Sequence, residues 1–305
     1  MPELPEVETT VQGLKNTVLG FKIKDTWTDL NTKDKRQKES VANKTYFKHF
    51  KKEVLNKKII SIKRRAKNIL INLSNNKTIL IHMKMTGHLL YGKYKYNKKK
   101  NKWLPNQNGP LHDPFNRFVH VVFILNNGKH LAFSDARKFG KITLLDTQTI
   151  HDSKHLNNIG PEPLETKFNL ETLKECLNKK LKGKIKTVLM DPSIIAGIGN
   201  IYSDEILWKS GIHPEQTICK LKEKEIKLIL KTMKEVLSKG INFGGDSMSD
   251  YRNIHGLPGK FQTYHQAYRR TGEKCLKKNC KGVIKRKIVG GRSAHFCSQH
   301  QILYD

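Results

Sequence analysis

Long apolar runs are missing from this chain. None approaches the ~20 residues a helix needs to cross a bilayer, so a membrane-spanning protein is not expected. The N-terminus lacks the basic and apolar regions of a secretory signal, and the expected location is the cytoplasm. Cysteine is scarce: five occur in 305 residues, three of them near the C-terminus. That distribution suits a metal site better than a disulfide framework. Acidic residues are also in deficit. Against 58 Lys and Arg stand 27 Asp and Glu, a formal net charge of +31. Lys, Asn and Ile are all plentiful, so part of the excess is compositional. The remainder implies a polyanionic partner, nucleic acid first and anionic membrane second. The length allows two or three domains with a proper core.

What is present begins with Met1-Pro2-Glu3-Leu4-Pro5-Glu6-Val7-Glu8. If Met1 is removed, Pro2 presents a secondary amine, a nucleophile that no internal proline supplies. Its reference pKa of roughly 8 leaves a usable neutral fraction near neutral pH. Glu3 beside it can give or take a proton. Pro5 suits a first helical position, and Val7, Val11, Leu14 and Val18 recur at helical spacing. The positive end of that helix would favour free amine over ammonium.

Short strand-like runs follow at 21–28, 59–65, 69–73, 79–83, 119–124 and 141–145, separated by Asn-rich turns. They predict an antiparallel sandwich or barrel. Residues 32–52 are charged, and their pattern assigns them no structure. Residues 91–117 mix lysines, tyrosines, Trp103 and prolines. Such a mixture can stack bases and hold phosphates, but a mobile solvated loop is the preferred reading. From about 160 the pattern turns helical. Asn169 is placed to cap 170–179, and 200–209 reads as a helix stopped by Gly211. Ile226, Ile229, Leu230, Met233 and Leu237 share one face of a long helix ending at Gly240. Residues 241–260 read as loop or linker.

Near the C-terminus Cys275, Cys280, Cys297 and His300 form a C-x4-C-x16-C-x2-H array. Two knuckle pairs around a short hairpin can offer tetrahedral thiolate and imidazole ligands to one structural zinc ion. His295 competes for the fourth place. Lys281, Lys285, Arg286, Lys287 and Arg292 make the hairpin a basic finger. Cys176 and Cys219 read as packed thiols rather than ligands.

Together these residues resemble the formamidopyrimidine-DNA glycosylase family nearly end to end. The PELPEVE opening at 2–8 resembles the family's N-terminal signature, and Leu4 separates it from the related endonuclease VIII branch. Arg64-Arg65-Ala66-Lys67, His82-Met83-Lys84-Met85-Thr86-Gly87, Asp135-Ala136-Arg137-Lys138-Phe139-Gly140, Gly160-Pro161-Glu162-Pro163-Leu164 and Gly197-Ile198-Gly199-Asn200-Ile201-Tyr202 are similar to further family segments, in the family order. Arg292 stands five residues before Cys297, like the family's hairpin arginine. There are departures. The first knuckle is longer than usual, His300 replaces a fourth cysteine, and Ala136 and Lys138 replace a proline and an arginine. The family's DNA-contacting histidine has no clear counterpart, His112 and Asn116 being the nearest positions.

The resemblance implies an α+β multidomain protein. Residues 1–150 would form a catalytic antiparallel β-sandwich flanked by helices, and 151–165 a linker. Residues 166–264 would form a helix-two-turn-helix domain with a lesion-recognition loop, and 265–305 a zinc-finger hairpin. It implies a bifunctional glycosylase and AP lyase acting, as a monomer, on double-stranded DNA that contains oxidised purines or abasic sites. Pro2, Glu3, Lys67 and Arg292 would be catalytic. Met85, Arg137, Phe139, Lys182 and Asn200 would bind DNA. Two other readings stay open: an endonuclease VIII-like enzyme for oxidised pyrimidines, and a catalytically silent damaged-DNA binder. Leu4 argues against the first, and intact Pro2, Glu3 and Lys67 against the second.

Overall fold

Two antiparallel sheets organise the N-terminal part of the chain. The computed structural model describes residues 1–248 and 250–304; Ser249, inside the predicted 241–260 linker, and Asp305 lie outside the described residues. After α1 (Leu4–Thr17) come β1 (Ile23–Thr28), α2 (Lys44–Val54), β2 (Ile59–Arg65), β3 (Asn68–Leu73) and β4 (Lys77–His82). Then follow β5 (His88–Gly92), β6 (Tyr94–Asn97), β7 (Lys102–Pro105), β8 (Val119–Leu125), β9 (His130–Ser134) and β10 (Lys141–Asp146). Two four-stranded sheets result, in the orders β1-β8-β9-β5 and β10-β4-β3-β2, with antiparallel pairing throughout. Ile23, Ile69, Ile71, Ile79, Ile81, Phe123 and Phe133 fill the space between them, together with Val7, Val11 and Leu14 of α1. The predicted sandwich is therefore present, and α1 is part of its core.

One unassigned stretch gains a structure here and one expectation is corrected. The unassigned stretch 32–52 contains most of α2, whose N-cap Asn43 accepts from the Tyr46 N–H at 2.9 Å and whose Phe50 and Val54 are buried. The predicted mobile loop 91–117 contains instead the β6–β7 hairpin and two short 3-10 turns, at Pro110–His112 and Pro114–Arg117. Its tyrosines and Trp103 alternate with lysines, so one face packs onto the outside of the β1-β8-β9-β5 sheet.

The C-terminal part is built from α3 (Leu170–Asn178), α4 (Ile185–Met190), α5 (Asn200–Ser210), α6 (Glu223–Asn242), β11 (Ile284–Val289) and β12 (Arg292–Cys297). Asn169 caps α3, its Oδ1 accepting from the Thr172 N–H at 3.0 Å. Gly211, at φ +73°, ends α5 in the left-handed conformation that glycine tolerates. Gly240 does not end α6, which runs on to Asn242. Its missing side chain makes room for Tyr202: a Cβ there would lie 2.5 Å from that ring.

The chain divides into two compact units, Met1–Asn157 with Phe243–Lys260, and Asn158–Asn242 with the chain from Phe261 onward. The expected domain at 166–264 had taken in residues 243–260. They fold with the sandwich because Ile254 sits in its core and its carbonyl accepts from the Tyr91 N–H at 2.7 Å. Among the described residues no helix is long and apolar enough to cross a membrane.

Candidate active site and metal centre

In the first unit, α1 opens on a capping box made by two glutamates. Glu3 is the N-cap, its side chain accepts from the Glu6 N–H, and its own N–H donates to Glu6 Oε2 at 2.7 Å. The other Glu6 oxygen accepts from the Asp246 N–H at 2.8 Å, and Tyr251 Oη donates to the Glu6 carbonyl at 3.0 Å. Burial holds the Tyr251 phenol well above its ordinary pKa, so it stays a donor. Gly245, at φ +84°, lies against Glu6, where a Cβ would meet the Glu6 Cγ at 2.8 Å. The outcome is a rigid terminus: Pro2 and Glu3 are buried, whereas Met1 is 45% exposed.

Lys67 stands in the two-residue turn between β2 and β3, after Ala66 at φ +51°. Arg64 ties this turn to α1. Its Nε donates to Glu8 Oε2 at 2.7 Å, and its Nη1 donates to the Ala66 carbonyl at 3.2 Å. His82 lies opposite Asn68 in the β3–β4 register. Burial, and then the charges of Lys84 and Lys67, hold its imidazole down at about 3, so it is neutral.

The 82–87 and 135–140 segments are joined by one buried carboxylate. Asp135 accepts from the Thr86 hydroxyl, from the Gly140 N–H at 2.7 Å and from the Arg137 N–H at 3.3 Å. The Arg137 N–H also donates to Thr86 Oγ1 at 3.0 Å. Lys84 and Lys138 both take positive φ, which turns each segment outward. Met85 and Phe139 emerge 40% and 48% exposed, and the Arg137 guanidinium stands 4.6 Å from the Phe139 ring centroid. Two large apolar side chains held in water beside a cation are a poor fit to core packing. They suit insertion between bases.

In the second unit Asn200 is the first residue of α5, and a helix N-terminus presents backbone N–H groups that suit an anion. Its Oδ1 is buried without a hydrogen-bond partner among the described residues. Lys182 is exposed just before α4. Arg292 is exposed at the start of β12, directly after the Gly290-Gly291 turn, whose two residues take φ +55° and +75°. Behind these lies an ion cluster. Lys186, 0% exposed, donates to Asp204 Oδ1 at 2.6 Å and to Ser203 Oγ at 3.1 Å. Asp204 Oδ2 in turn receives Nδ1 and the backbone N–H of His295. Next to it, Glu205 accepts from the backbone N–H groups of Gln266, Ala267 and Tyr268 at 2.8, 3.0 and 2.9 Å. Its burial raises the carboxyl pKa.

The ligand atoms of Cys275, Cys280, Cys297 and His300 all lie within 4.8 Å of one another, a donor set that could hold a metal ion. The Cys275 sulfur is 3.5 Å from His300 Nδ1, and the sulfurs of Cys280 and Cys297 are 3.5 Å apart. The N–H groups of Lys277, Gly282 and Gln299 point at the three sulfurs, at 3.5, 3.4 and 3.4 Å, as they would to stabilise thiolates. His300 Nε2–H donates to the Trp208 carbonyl at 3.0 Å, which leaves Nδ1 facing the cluster as an acceptor. His295 is not in this cluster, being held by Asp204. The competition for the fourth place thus falls to His300.

Of the two positions nearest the family histidine, Asn116 is buried and donates to the carbonyls of Pro110 and Gly256 at 2.9 and 3.2 Å, while His112 contacts the Gln107 carbonyl. Asn116 is thus turned inward, whereas His112 is exposed. Sequence reading missed Glu6, Asp135, Lys186, Asp204 and Glu205 as organisers. Only the first had a signal, the Glu-x-x-Glu spacing of a capping box that begins with an unusual residue type.

A family model described as the formamidopyrimidine-DNA glycosylase N-terminal domain matches residues 1–142, and one described as the formamidopyrimidine-DNA glycosylase H2TH domain matches 159–252. The formamidopyrimidine-DNA glycosylase of Pelotomaculum thermopropionicum is 36% identical over 297 residues, covering 97% of this chain and 98% of that one. That of Ligilactobacillus salivarius is 36% identical over 303 residues, covering 99% of each. The Lactococcus lactis Fpg in complex with DNA containing an abasic site matches in structure with a TM-score of 0.81 at 31% identity, covering 98% of this chain and 99% of that one. A point mutant of the same enzyme, in complex with Fapy-dG DNA, matches with a TM-score of 0.82 at 31% identity over the same shares of the two chains. With a sandwich that begins on a buried Pro-Glu pair, and with relatives aligned along nearly the whole chain, this protein belongs to the formamidopyrimidine-DNA glycosylase family.

Proposed function

We propose that the protein is a DNA-repair glycosylase and AP lyase that removes oxidised purines, 8-oxoguanine and formamidopyrimidines, from double-stranded DNA. The observation that carries the reading is the Pro2-Glu3 pair, buried and locked onto the N-terminus of α1 while Met1 stays exposed. A binding module has no use for a rigidly held terminal amine. The Fapy-dG and abasic-site DNA bound by the Lactococcus lactis relative supports the substrate class.

A base within a duplex cannot be reached in the stack, so it is extruded. Met85 and Phe139 fill the gap and wedge the opposite strand, and Arg137 meets the orphaned partner base. The neutral Pro2 amine, freed by loss of Met1, attacks C1′ of the deoxyribose. The C1′–base bond breaks and the base leaves with a proton. Glu3 protonates the sugar-ring oxygen as the C1′–O4′ bond opens, leaving an iminium on Pro2. The iminium acidifies the C2′ proton. Its removal expels the 3′ phosphate, and a second elimination expels the 5′ phosphate. Lys67 is the companion general acid and phosphate contact. Arg292, Asn200 and Lys182 hold backbone phosphates. Cys275, Cys280, Cys297 and His300 hold one zinc ion, whose contribution is to fix the shape of the finger. The protein acts as a monomer, in the cytoplasm and at the nucleoid, where its substrate lies.

The test is borohydride trapping on a duplex containing 8-oxoguanine opposite cytosine. Protein lacking Met1 forms a covalent adduct, and Pro2→Gly or a retained Met1 abolishes it with DNA binding largely intact. Absence of an adduct from processed, metal-loaded protein would sink the lyase reading. A preference for oxidised pyrimidines in the same assay would favour the endonuclease VIII-like alternative.

A further inference from the structure

The β6–β7 hairpin has no part in the chemistry above, yet it is a built element. Tyr94 pairs with Pro105 and Tyr96 with Trp103, while Lys95 pairs with Leu104 and Asn97 with Lys102. The first two pairs face the sandwich. Tyr96 and Trp103 lie 5.5 Å apart, each also packs on Trp27 of β1, and Trp103 lies 5.0 Å from His130. The turn is braced by the Lys100 N–H on Asn97 Oδ1 at 3.0 Å and by Tyr96 Oη on Asn101 Oδ1 at 2.5 Å.

The other face and the turn display Lys95, Lys98, Lys99, Lys100 and Lys102, all exposed, with exposed Lys93 at the base. No Asp or Glu occurs between Glu53 and Asp113. None of these six lysines is ion-paired among the described residues, whereas Lys51, Lys77 and Lys154 of the same unit pair with Asp25, Asp146 and Glu39. Like charges this close lie within about one Debye length (~8 Å) and repel one another. A rigid platform that concentrates them without internal compensation is matched to an external polyanion. Its anchor His130 lies at the opposite end of β9 from Ser134, which leads into Asp135. That separation is about 13 Å along the strand.

We propose that the β6–β7 hairpin is a second DNA-contacting surface, which grips phosphates of the duplex flanking the damaged site rather than those around the lesion. The proposal rests on the DNA substrate named above and adds a part of the footprint that the lesion site does not need. Each phosphate neutralised lowers the slope of log K against log salt by about 0.9.

The experiment compares the full-length, metal-loaded protein with a K98S/K99S/K100S/K102S variant. Affinity for a duplex carrying a tetrahydrofuran abasic analogue is measured across salt, on about 30 base pairs and on about 10, lengths chosen to include or exclude flanking phosphates. On the long duplex the variant slope is expected to be shallower by about 2 to 4, with at least a tenfold loss of affinity at physiological salt. On the short duplex the two proteins should coincide. Lys→Arg at the same four positions should restore the slope, and Trp103→Ala, which detaches the platform, should lose it. Equal slopes on the long duplex overturn the proposal and leave the lysines as guards of an exposed sheet edge. An equal loss on both lengths overturns the flanking placement. Borohydride trapping run alongside separates the two readings, since failure of the glycosylase assignment removes trapping from both proteins whatever the slopes.

Discussion

Asp204 receives His295 twice, through the backbone N–H at 3.0 Å and through Nδ1 at 2.8 Å, while its other oxygen takes Lys186 at 2.6 Å. One buried carboxylate therefore joins α4, α5 and β12. Asn200, four residues before Asp204, and Arg292, three before His295, are both proposed to hold phosphates, and both are referenced to this point.

Removing that carboxylate leaves a wholly buried ammonium without its counter-charge. Asp204→Ala is expected to destabilise the protein by about 3–5 kcal/mol, whereas the paired replacement Lys186→Met with Asp204→Leu costs less than the single change. Urea unfolding of the three proteins checks this. A single variant no worse than the pair would show that the ammonium reaches water or another partner.

Asp135 separates presentation of the wedge from folding. Asp135→Ala removes the acceptor shared by the Thr86 hydroxyl and the Arg137 and Gly140 N–H groups, so Met85 and Phe139 lose their common support. The ratio of affinities for abasic-analogue and undamaged duplex should fall at least tenfold, about 1.4 kcal/mol, with undamaged binding nearly unchanged. Equal losses on both duplexes would reduce the residue to a general stabiliser.

At the metal cluster, His300→Ala should lower metal content and loosen the hairpin, and His295→Ala should leave metal stoichiometry at the wild-type value. His300→Cys should retain the ion, because four thiolates, or three thiolates with one imidazole, are both ordinary tetrahedral zinc sets. Metal analysis of the purified variants decides it. Full stoichiometry in His300→Ala would exclude this residue as a ligand.

Burial holds His88 at about 4, below its ordinary 6.5. The amide of Asn116 donates to two carbonyls, so its Oδ1 faces His88 and accepts from Nε2 at 3.0 Å. Because the folded pKa is depressed, the unfolded chain takes up the proton first as pH falls. Stability from this group is complete above about 6.5 and declines towards pH 4, by up to about 3 kcal/mol. His88→Gln should flatten that part of the pH–stability curve, measured by denaturant midpoints between pH 7 and pH 4. An unaltered slope would mean that other groups dominate the window.

The sandwich was legible because Ile59 to Leu73 and Val119 to Leu125 carry strong apolar patterns between Asn-rich turns. Strand β5 was not, because His88-Leu89-Leu90-Tyr91-Gly92 is too short to display a period. The β6–β7 hairpin was masked by its lysines: only the position of its aromatics, not its composition, reveals a face that packs. The proposed wedge residues came from the segments that resemble the family, and the proposed metal ligands from their spacing. The organisers behind them escaped notice because Lys186, Asp204, Glu205 and Asp135 look like ordinary surface charges in a chain so rich in charge. Only tertiary structure shows that they are buried. The return of 243–260 to the first unit was equally hidden, since it depends on Ile254 meeting Gly13 across the fold.

The neighbouring carboxylates of α5 give the finger an unusual thermodynamic status. Glu205 grips the chain at 266–268 and Asp204 grips β12, so both ends of the finger are stitched to one helix by bonds that involve no metal. Chelation therefore does not release the hairpin as an independent module. It should melt the Cys275–Cys280 knuckle first, as a local opening, while the amides near His295 keep the slow exchange of α5. On this arrangement the strands of the finger are expected to open together with the helix, and an ion held by the cluster is expected to fix the shape of the outer edge.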